Sequence, residues 1–173
     1  HGLWNKHSNF EEATRTPLIF KSPDIGGGFV NDSPVELLDI FPTVCTLAGI
    51  PKPDYLDGIS LVPILEKKSE YLRDFAISQY PRRCNVMRSV IGRYPDDCTL
   101  MGYAVRNEKY RYIAWVSGDF EDRSDFNNDE IVMEELYDYE IDPLETKSYA
   151  SDASYQKVKE EMIKDLRSVI WEN

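Results

Sequence analysis

Cysteine and histidine are scarce in this 173-residue chain, with three of the first and two of the second. Cys45, Cys84 and Cys98 are too few for a disulfide scaffold and lack the CxxC spacing of a zinc site. Long hydrophobic runs are missing as well. Nothing approaches the roughly 20 apolar residues that span a bilayer, and the longest stretches are interrupted by Asp39 or Pro42, which excludes a membrane protein. Positive charge is in deficit. Twenty Lys and Arg against 31 Asp and Glu leave −11 at pH 7, the reverse of the balance that holds a nucleic-acid backbone. There is no internal repeat and no low-complexity tract. A chain that is 42% hydrophobic and 29% charged has the make-up of a globular protein, and its length suits about one domain. It opens at His1 without a Met or a signal-peptide pattern, which reads as the C-terminal piece of something longer, any targeting segment lying upstream.

Local pattern divides the chain in two. Residues 1–15 are polar and aromatic without period. Thr16-Pro17-Leu18-Ile19-Phe20-Lys21 is a continuous apolar run of the kind found in strands buried on both faces. The Pro- and Gly-rich stretch from Ser22 to Pro34 is a loop. Ser33-Pro34-Val35-Glu36 has the form of a capping box with Pro at the first helical position. The helix it predicts carries Val35, Leu37, Leu38 and Phe41 on one side, breaks at Pro42, resumes to Ala48 and ends at Gly49. Cys45 falls within it as a small buried thiol. Asp57-Gly58 marks a tight turn, and Leu61–Leu65 a short apolar segment.

The second half is β-rich. Strands are expected at Phe75–Tyr80, at Tyr103–Arg106, at Tyr110–Val116 and at Glu135–Tyr139, the middle two joined as a hairpin by Asn107-Glu108-Lys109. Tyr155, Val158, Met162, Leu166, Val169 and Ile170 recur at helical spacing. Together these predict a small antiparallel sheet covered on one face by a C-terminal helix. Tyr103, Tyr110, Tyr112, Trp115, Tyr137 and Tyr139 suit cross-strand packing better than sugar stacking. The acidic stretch 117–134 does not have EF-hand spacing and reads as a solvated loop. The two halves join within residues 66–75.

HGLWNKHSNFEEATRTPLIF, VELLDIFPTVCTLAGIPKP, DGISLVPIL, SQYPR, MGYAVRNEKYRYIAW and ELYDYEIDP occur here in that order. In this order the pieces resemble the C-terminal part of sulfatases of the alkaline-phosphatase-like superfamily, and SQYPR, MGY-x-x-R and YRY-x-x-W resemble the iduronate-2-sulfatase branch most. The resemblance spans nearly the whole chain apart from 117–134 and the last helix. It implies an α/β fold in which residues 1–65 form the C-terminal edge of a large catalytic domain and residues 66–173 a small sheet-and-helix subdomain. It also implies sulfate-ester hydrolysis on a sulfated sugar or glycosaminoglycan, with calcium and a formylglycine nucleophile. The Cys/Ser-x-Pro/Ala-x-Arg precursor of that nucleophile is not present: Cys45 is followed by Thr46-Leu47-Ala48, and Cys84 by Asn85-Val86-Met87. His1-Gly2 matches the family's second His-Gly, so no metal ligand is assigned, and this chain alone is expected to be inactive. The N-terminal catalytic part of the same protein is the implied partner, and the periplasm, lysosome or exterior the implied compartment.

Lys6 matches the family lysine that reaches the sulfate group, where a fixed cation stabilises the charge on the sulfuryl and leaving oxygens. His7 beside it either meets the substrate or bonds to a loop. Trp4 either walls the sugar pocket or packs in the core, and Asn9 reads as a loop-capping amide. Arg82, Arg83, Arg88 and Arg93 fall within twelve residues that contain no acid. They form either an anion-binding patch or a solvated basic loop, Arg82 and Arg83 being the substrate-binding candidates. Arg106 reads as a structural ion-pair partner. Cys84 and Cys98 flank that loop and are either bridged or independent; a bridge needs an oxidising compartment. Two alternatives stay open: a phosphonate or phosphodiester hydrolase of the same superfamily, and a non-catalytic glycan-binding module.

Overall fold

The computed structural model describes residues 6–83, 99–117 and 131–170. Contacts gather into two compact units, one built from residues 17–76, the other from the N-terminal segment through Thr16 together with the chain from Ile77 onward.

The second of these is a four-stranded sheet in the order β1 (Ala76–Arg83), β2 (Thr99–Arg106), β3 (Tyr110–Ser117), β4 (Ile131–Asp138). β2 and β3 form the expected hairpin, antiparallel in a register that sets Gly102 against Trp115 and Arg106 against Arg111. β4 is antiparallel to β3, and the register slips between Trp115 and Val116. Asn107 shapes the connecting turn, its side-chain oxygen accepting from the amides of Lys109 at 3.0 Å and Tyr110 at 2.8 Å. β3 is central, and every residue from Arg111 to Val116 is buried, as a strand covered on both faces requires.

The two faces have different covers. A C-terminal helix at Gln156–Ile170 buries Met162 and Leu166. It is tied to its face of the sheet by Lys159 on Glu134 at 3.1 Å and, just ahead of it, by the Tyr155 hydroxyl donating to Asp138 at 2.8 Å. That arrangement is the one expected from the helical spacing of 155–170. The other face packs Leu100, Ala104, Ile113, Trp115 and Tyr137 around Phe10, from the N-terminal segment. The aromatic residues thus serve the sheet: Phe10 meets Tyr137 edge-on at 5.9 Å, and Tyr110 meets Tyr155 at 6.4 Å.

Within residues 17–76 the chain departs from local expectation twice. The run 16–21 joins no sheet, and Ile19 is 87% exposed; a strand buried on both faces needs ladder partners, and the described residues supply none here. The helix starts later than its capping signal. Ser33 closes a turn with Asn31, whose side-chain oxygen accepts the Ser33 amide at 3.0 Å, and the backbone stays extended through Glu36. A 3₁₀ turn at Leu37–Asp39 then leads into an α-helix at Ile40–Leu47. Asp39 is fully buried and reaches back to the Glu36 amide at 2.8 Å, while its other oxygen accepts from Ile59 N at 2.9 Å and Arg73 at 2.5 Å. A capping box between Glu36 and Asp39, held by the bonds from Ile59 and Arg73, places the start of the helix three residues beyond the expected motif. Pro42 lies in the first turn, where a missing N–H costs no helical bond, so the helix runs through it without the expected break. Gly49, at φ +65°, ends the helix in a Schellman arrangement, Ile50 N donating to Cys45 O at 2.9 Å. Cys45 is buried and free.

Thr43 stitches this helix to the loop that follows. Its hydroxyl donates to Asp39 O at 2.5 Å and accepts the Leu61 amide at 2.8 Å. Gly58 is required by a separate close approach to the backbone of Leu38, since a Cβ there would lie 2.1 Å from Leu38 O, whereas one at Gly27 would meet nothing within 4 Å. Gly58→Ala should therefore lose about 1–3 kcal/mol to overpacking, and Gly27→Ala should stay within about 0.5 kcal/mol of the parent. Paired urea titrations measure both; equal midpoints would refute the close approach.

Candidate functional site

The candidate site begins with how the N-terminal segment is fixed. Arg111 sits mid-strand in an apolar run and is 1% exposed. A guanidinium taken out of water needs every donor met and its charge balanced. Its Nη2 donates to Glu11 Oε2 at 2.6 Å and Thr14 Oγ1 at 3.1 Å, and its Nη1 to the backbone carbonyl of Asn9. Nε faces the Tyr139 hydroxyl at 2.7 Å and Glu145 Oε1 at 2.9 Å. The Glu145 carboxylate also accepts from the Tyr139 hydroxyl at 2.5 Å and from the Glu11 amide at 2.8 Å. Glu145 itself adopts φ +55°, an unfavourable backbone for a residue with a Cβ, held by the bonds its carboxylate makes. Arg106 lies 3.7 Å over the Tyr139 ring and pairs with Glu11 at 3.3 Å, the ion-pair role expected of it.

These contacts anchor residues 9–14, so the residues just ahead of them have a defined seat. Asn9 is buried; its Nδ2 donates to Gly102 O at 2.8 Å and its Oδ1 accepts from the Ser78 hydroxyl at 3.1 Å. It bridges two strands, a different role from the loop-capping amide expected of it. Gly102 makes this possible, since a Cβ there would lie 2.7 Å from the Trp115 ring and 3.0 Å from Asn9 Nδ2. His7 is exposed and stacks on Tyr80, ring centroids 5.6 Å apart. Arg82 lies over Phe10 at 5.9 Å and over Trp115 at 5.5 Å, a cation–π seat. Ser78, Tyr80 and Arg82 alternate along β1, so one face of that strand receives Asn9, His7 and Phe10.

Lys6 is exposed and makes no ion pair with another described residue. Of the candidates, the structure places His7 and Arg82 along the same face of β1, and Lys6 precedes His7 in the chain. Arg83 has the opposite parity on β1 and is exposed. Trp4, Cys84, Cys98, Arg88, Arg93 and most of 117–134 lie outside the described residues. Among the described residues no group of three His, Cys, Asp or Glu side chains is arranged to hold a metal ion, and no helix is long and apolar enough to cross a membrane.

The Glu11 carboxyl feels opposing influences. Burial raises its pKa, but Arg106 and Arg111 outweigh that and hold it below the ordinary 4.5. A depressed carboxyl adds stability that is complete above the unfolded value and is lost as pH falls through the folded one. Thermal stability of the parent should thus fall more steeply below pH 4.5 than that of Glu11→Gln; parallel slopes would contradict the assignment. Arg111→Met strands Glu145 in the interior and should cost about 3–5 kcal/mol, read by chemical denaturation at pH 7.

The comparisons with known proteins agree with this architecture. The family model described as "N-sulphoglucosamine sulphohydrolase, C-terminal" matches residues 1–172. Arylsulfatase K of Danio rerio is 30% identical over 174 residues, covering 98% of this chain and 28% of that protein. Delta 4,5-hexuronate-2-O-sulfatase of Bacteroides thetaiotaomicron is 31% identical, covering 91% of the chain and 29% of the relative. Iduronate 2-sulfatase of Mus musculus is 28% identical, covering 90% and 36%. A solved 2-O GAG sulfatase superposes with a TM-score of 0.53 at 28% identity, covering 76% of the chain and 24% of that structure. The chain spans about three-tenths of the length of these curated relatives. A sheet closed by a C-terminal helix, an N-terminal segment locked beneath it and a family match over almost every residue lead to one assignment: the chain belongs to the sulfatases, as a C-terminal domain of the N-sulphoglucosamine sulphohydrolase type.

Proposed function

We propose that this chain is the C-terminal part of an enzyme that hydrolyses sulfate esters on an acidic sugar of the glycosaminoglycan type, with a 2-O-sulfated uronate as the preferred unit. The single observation that carries the reading is Lys6, an exposed cation five residues ahead of half-buried Glu11, which pairs with buried Arg111 beside buried Glu145. A lysine placed in this way offers a preorganised charge to a sulfuryl group whose oxygens grow more negative in the transition state. The 2-O-sulfated uronate is supported by the hexuronate-2-O-sulfatase and iduronate 2-sulfatase among the relatives. Such a substrate carries a carboxylate besides its sulfate. His7 and Arg82 are suited to contact it, Arg82 because a guanidinium seated on aromatic faces keeps its in-plane donors for a bidentate anion. Arg83 and Trp4 join this set as substrate contacts on the family resemblance.

Formylglycine and calcium belong, on the same resemblance, to other parts of the complete enzyme. The chain has no Cys/Ser-x-Pro/Ala-x-Arg motif, and its described residues gather no metal-binding cluster. What this chain supplies is electrostatic and positional. The partner is accordingly the N-terminal catalytic part of the same protein. The 3₁₀ turn at Leu37–Asp39 and the helix at Ile40–Leu47 fit such a partner, because their apolar stripe is open: Leu37 is 67%, Phe41 55% and Val44 50% exposed. An extracytoplasmic or lysosomal compartment, where sulfated polysaccharides are degraded, completes the reading.

In the complete enzyme Lys6→Ala should lower kcat on a 2-O-sulfated uronate disaccharide about a hundredfold, with the melting temperature unchanged because the side chain is exposed. Lys6→Arg should recover part of the loss. Undiminished turnover in Lys6→Ala would remove Lys6 from the site. Faster turnover of a phosphonate monoester than of the sulfate ester would move the enzyme to the other reaction class.

A further inference from the structure

Lys6 makes no ion pair with another described residue, and the contacts that fix the chain beside it bear on where its ammonium sits. The nearest buried residue that reaches across the sheet is Asn9, three positions on, a distance that extended chain covers in about 10 Å. Its side chain has both ends occupied, the amide on the Gly102 carbonyl of β2 and the oxygen on the Ser78 hydroxyl of β1. Its backbone carbonyl accepts from buried Arg111 of β3. One residue thereby registers the turn against three adjacent strands. His7, between Asn9 and Lys6, adds a looser contact by stacking on Tyr80.

We propose that Asn9 is a positioning residue for Lys6, and that its bridge between Ser78 and Gly102 sets the lysine's place in the substrate site. This rests on the reading that Lys6 holds the sulfate. The bridge takes no part in the chemistry. Without it the turn is still held by Phe10 in the core and by Glu11 on Arg111, so the fold survives while the lysine loses its registration. A misplacement of about 1 Å at a reacting group is enough to cost a large factor in rate.

The test is a double-mutant cycle in the complete enzyme, with a 2-O-sulfated uronate disaccharide as substrate. Asn9→Ala should lower kcat about tenfold, and the milder Ser78→Ala about threefold, with KM changed far less than kcat. In a Lys6→Ala background neither substitution should lower kcat further, because the group they position is gone. A merely structural role predicts the opposite: both would cost the same factor with or without Lys6, and that multiplicative outcome overturns the proposal. Parental kcat in Ser78→Ala would overturn it too. Should Asn9→Ala fail to fold, Ser78→Ala carries the cycle alone, since it deletes one hydroxyl and leaves the Gly102 bond. Parental kcat in Lys6→Ala itself would instead bring down the functional reading, a result visible before either partner is mutated.

Discussion

A guanidinium in the middle of a hydrophobic strand is the constraint from which the sheet unit can be reconstructed. Arg111 cannot remain buried and charged unless carboxylates meet it, and two do, half-buried Glu11 from a hundred residues before it and fully buried Glu145 from thirty-four after it. Glu11 comes from the N-terminal segment and Glu145 from the turn beyond β4, so the charge balance closes the chain around one face of the sheet. Burial works against each of these ions alone. In Arg111 the surrounding Tyr139, Glu145 and Glu11 outweigh it and keep the guanidinium protonated. The hydrophobic contacts of Phe10 follow from this closure, because the residue between Asn9 and Glu11 has nowhere to go except onto Trp115 and Tyr137.

The residues 17–76 use the same device on a smaller scale. Asp39 is buried at the start of the helix and collects two backbone amides and Arg73, which also pairs with Glu36 at 2.8 Å. In both units an irregular stretch, short of ladder or helix bonds, is given a fixed course by a buried ion that accepts or donates several bonds at once. Backbone groups outside regular structure must still be satisfied, and a charged side chain meets more of them than a neutral one.

This explains which features the sequence disclosed. The hairpin, the outer strand and the terminal helix were legible because alternation and helical spacing are local properties, as was the Gly49 cap. The capping box at Ser33 was misleading, since a local motif worth about 1 kcal/mol competes with Asp39 bonds made to residues 20 and 34 positions away. The apolar run at 16–21 was misleading for a related reason: composition signals a taste for burial, not who provides it. Lys6 entered through its resemblance to a family motif, and no property of an isolated lysine would have singled it out. The Arg111 cluster was within reach. A lone arginine in Tyr-Arg-Tyr-Ile-Ala-Trp-Val is a charge that an apolar strand cannot keep without buried acids, although pattern does not say that Glu11 and Glu145 are those acids.

On the proposal that Lys6 holds the sulfate, the division between hidden and exposed charge suits a sulfuryl-transfer site. A lysine that meets an incoming sulfate must be free of a carboxylate, because an internal partner would compete with the substrate for the same cation. A flexible four-carbon stem has no intrinsic direction and loses rotamer entropy when a ligand fixes it. The chain resolves this by moving the ordering elsewhere. The costly paired ions are buried at positions 111 and 145 and half-buried at 11, Asn9 ties the chain to Arg111 within three residues of Lys6, and Lys6 itself is left exposed. Rigidity and available charge are thus supplied by different residues, and the short stretch from Lys6 to Glu11 is where the two meet.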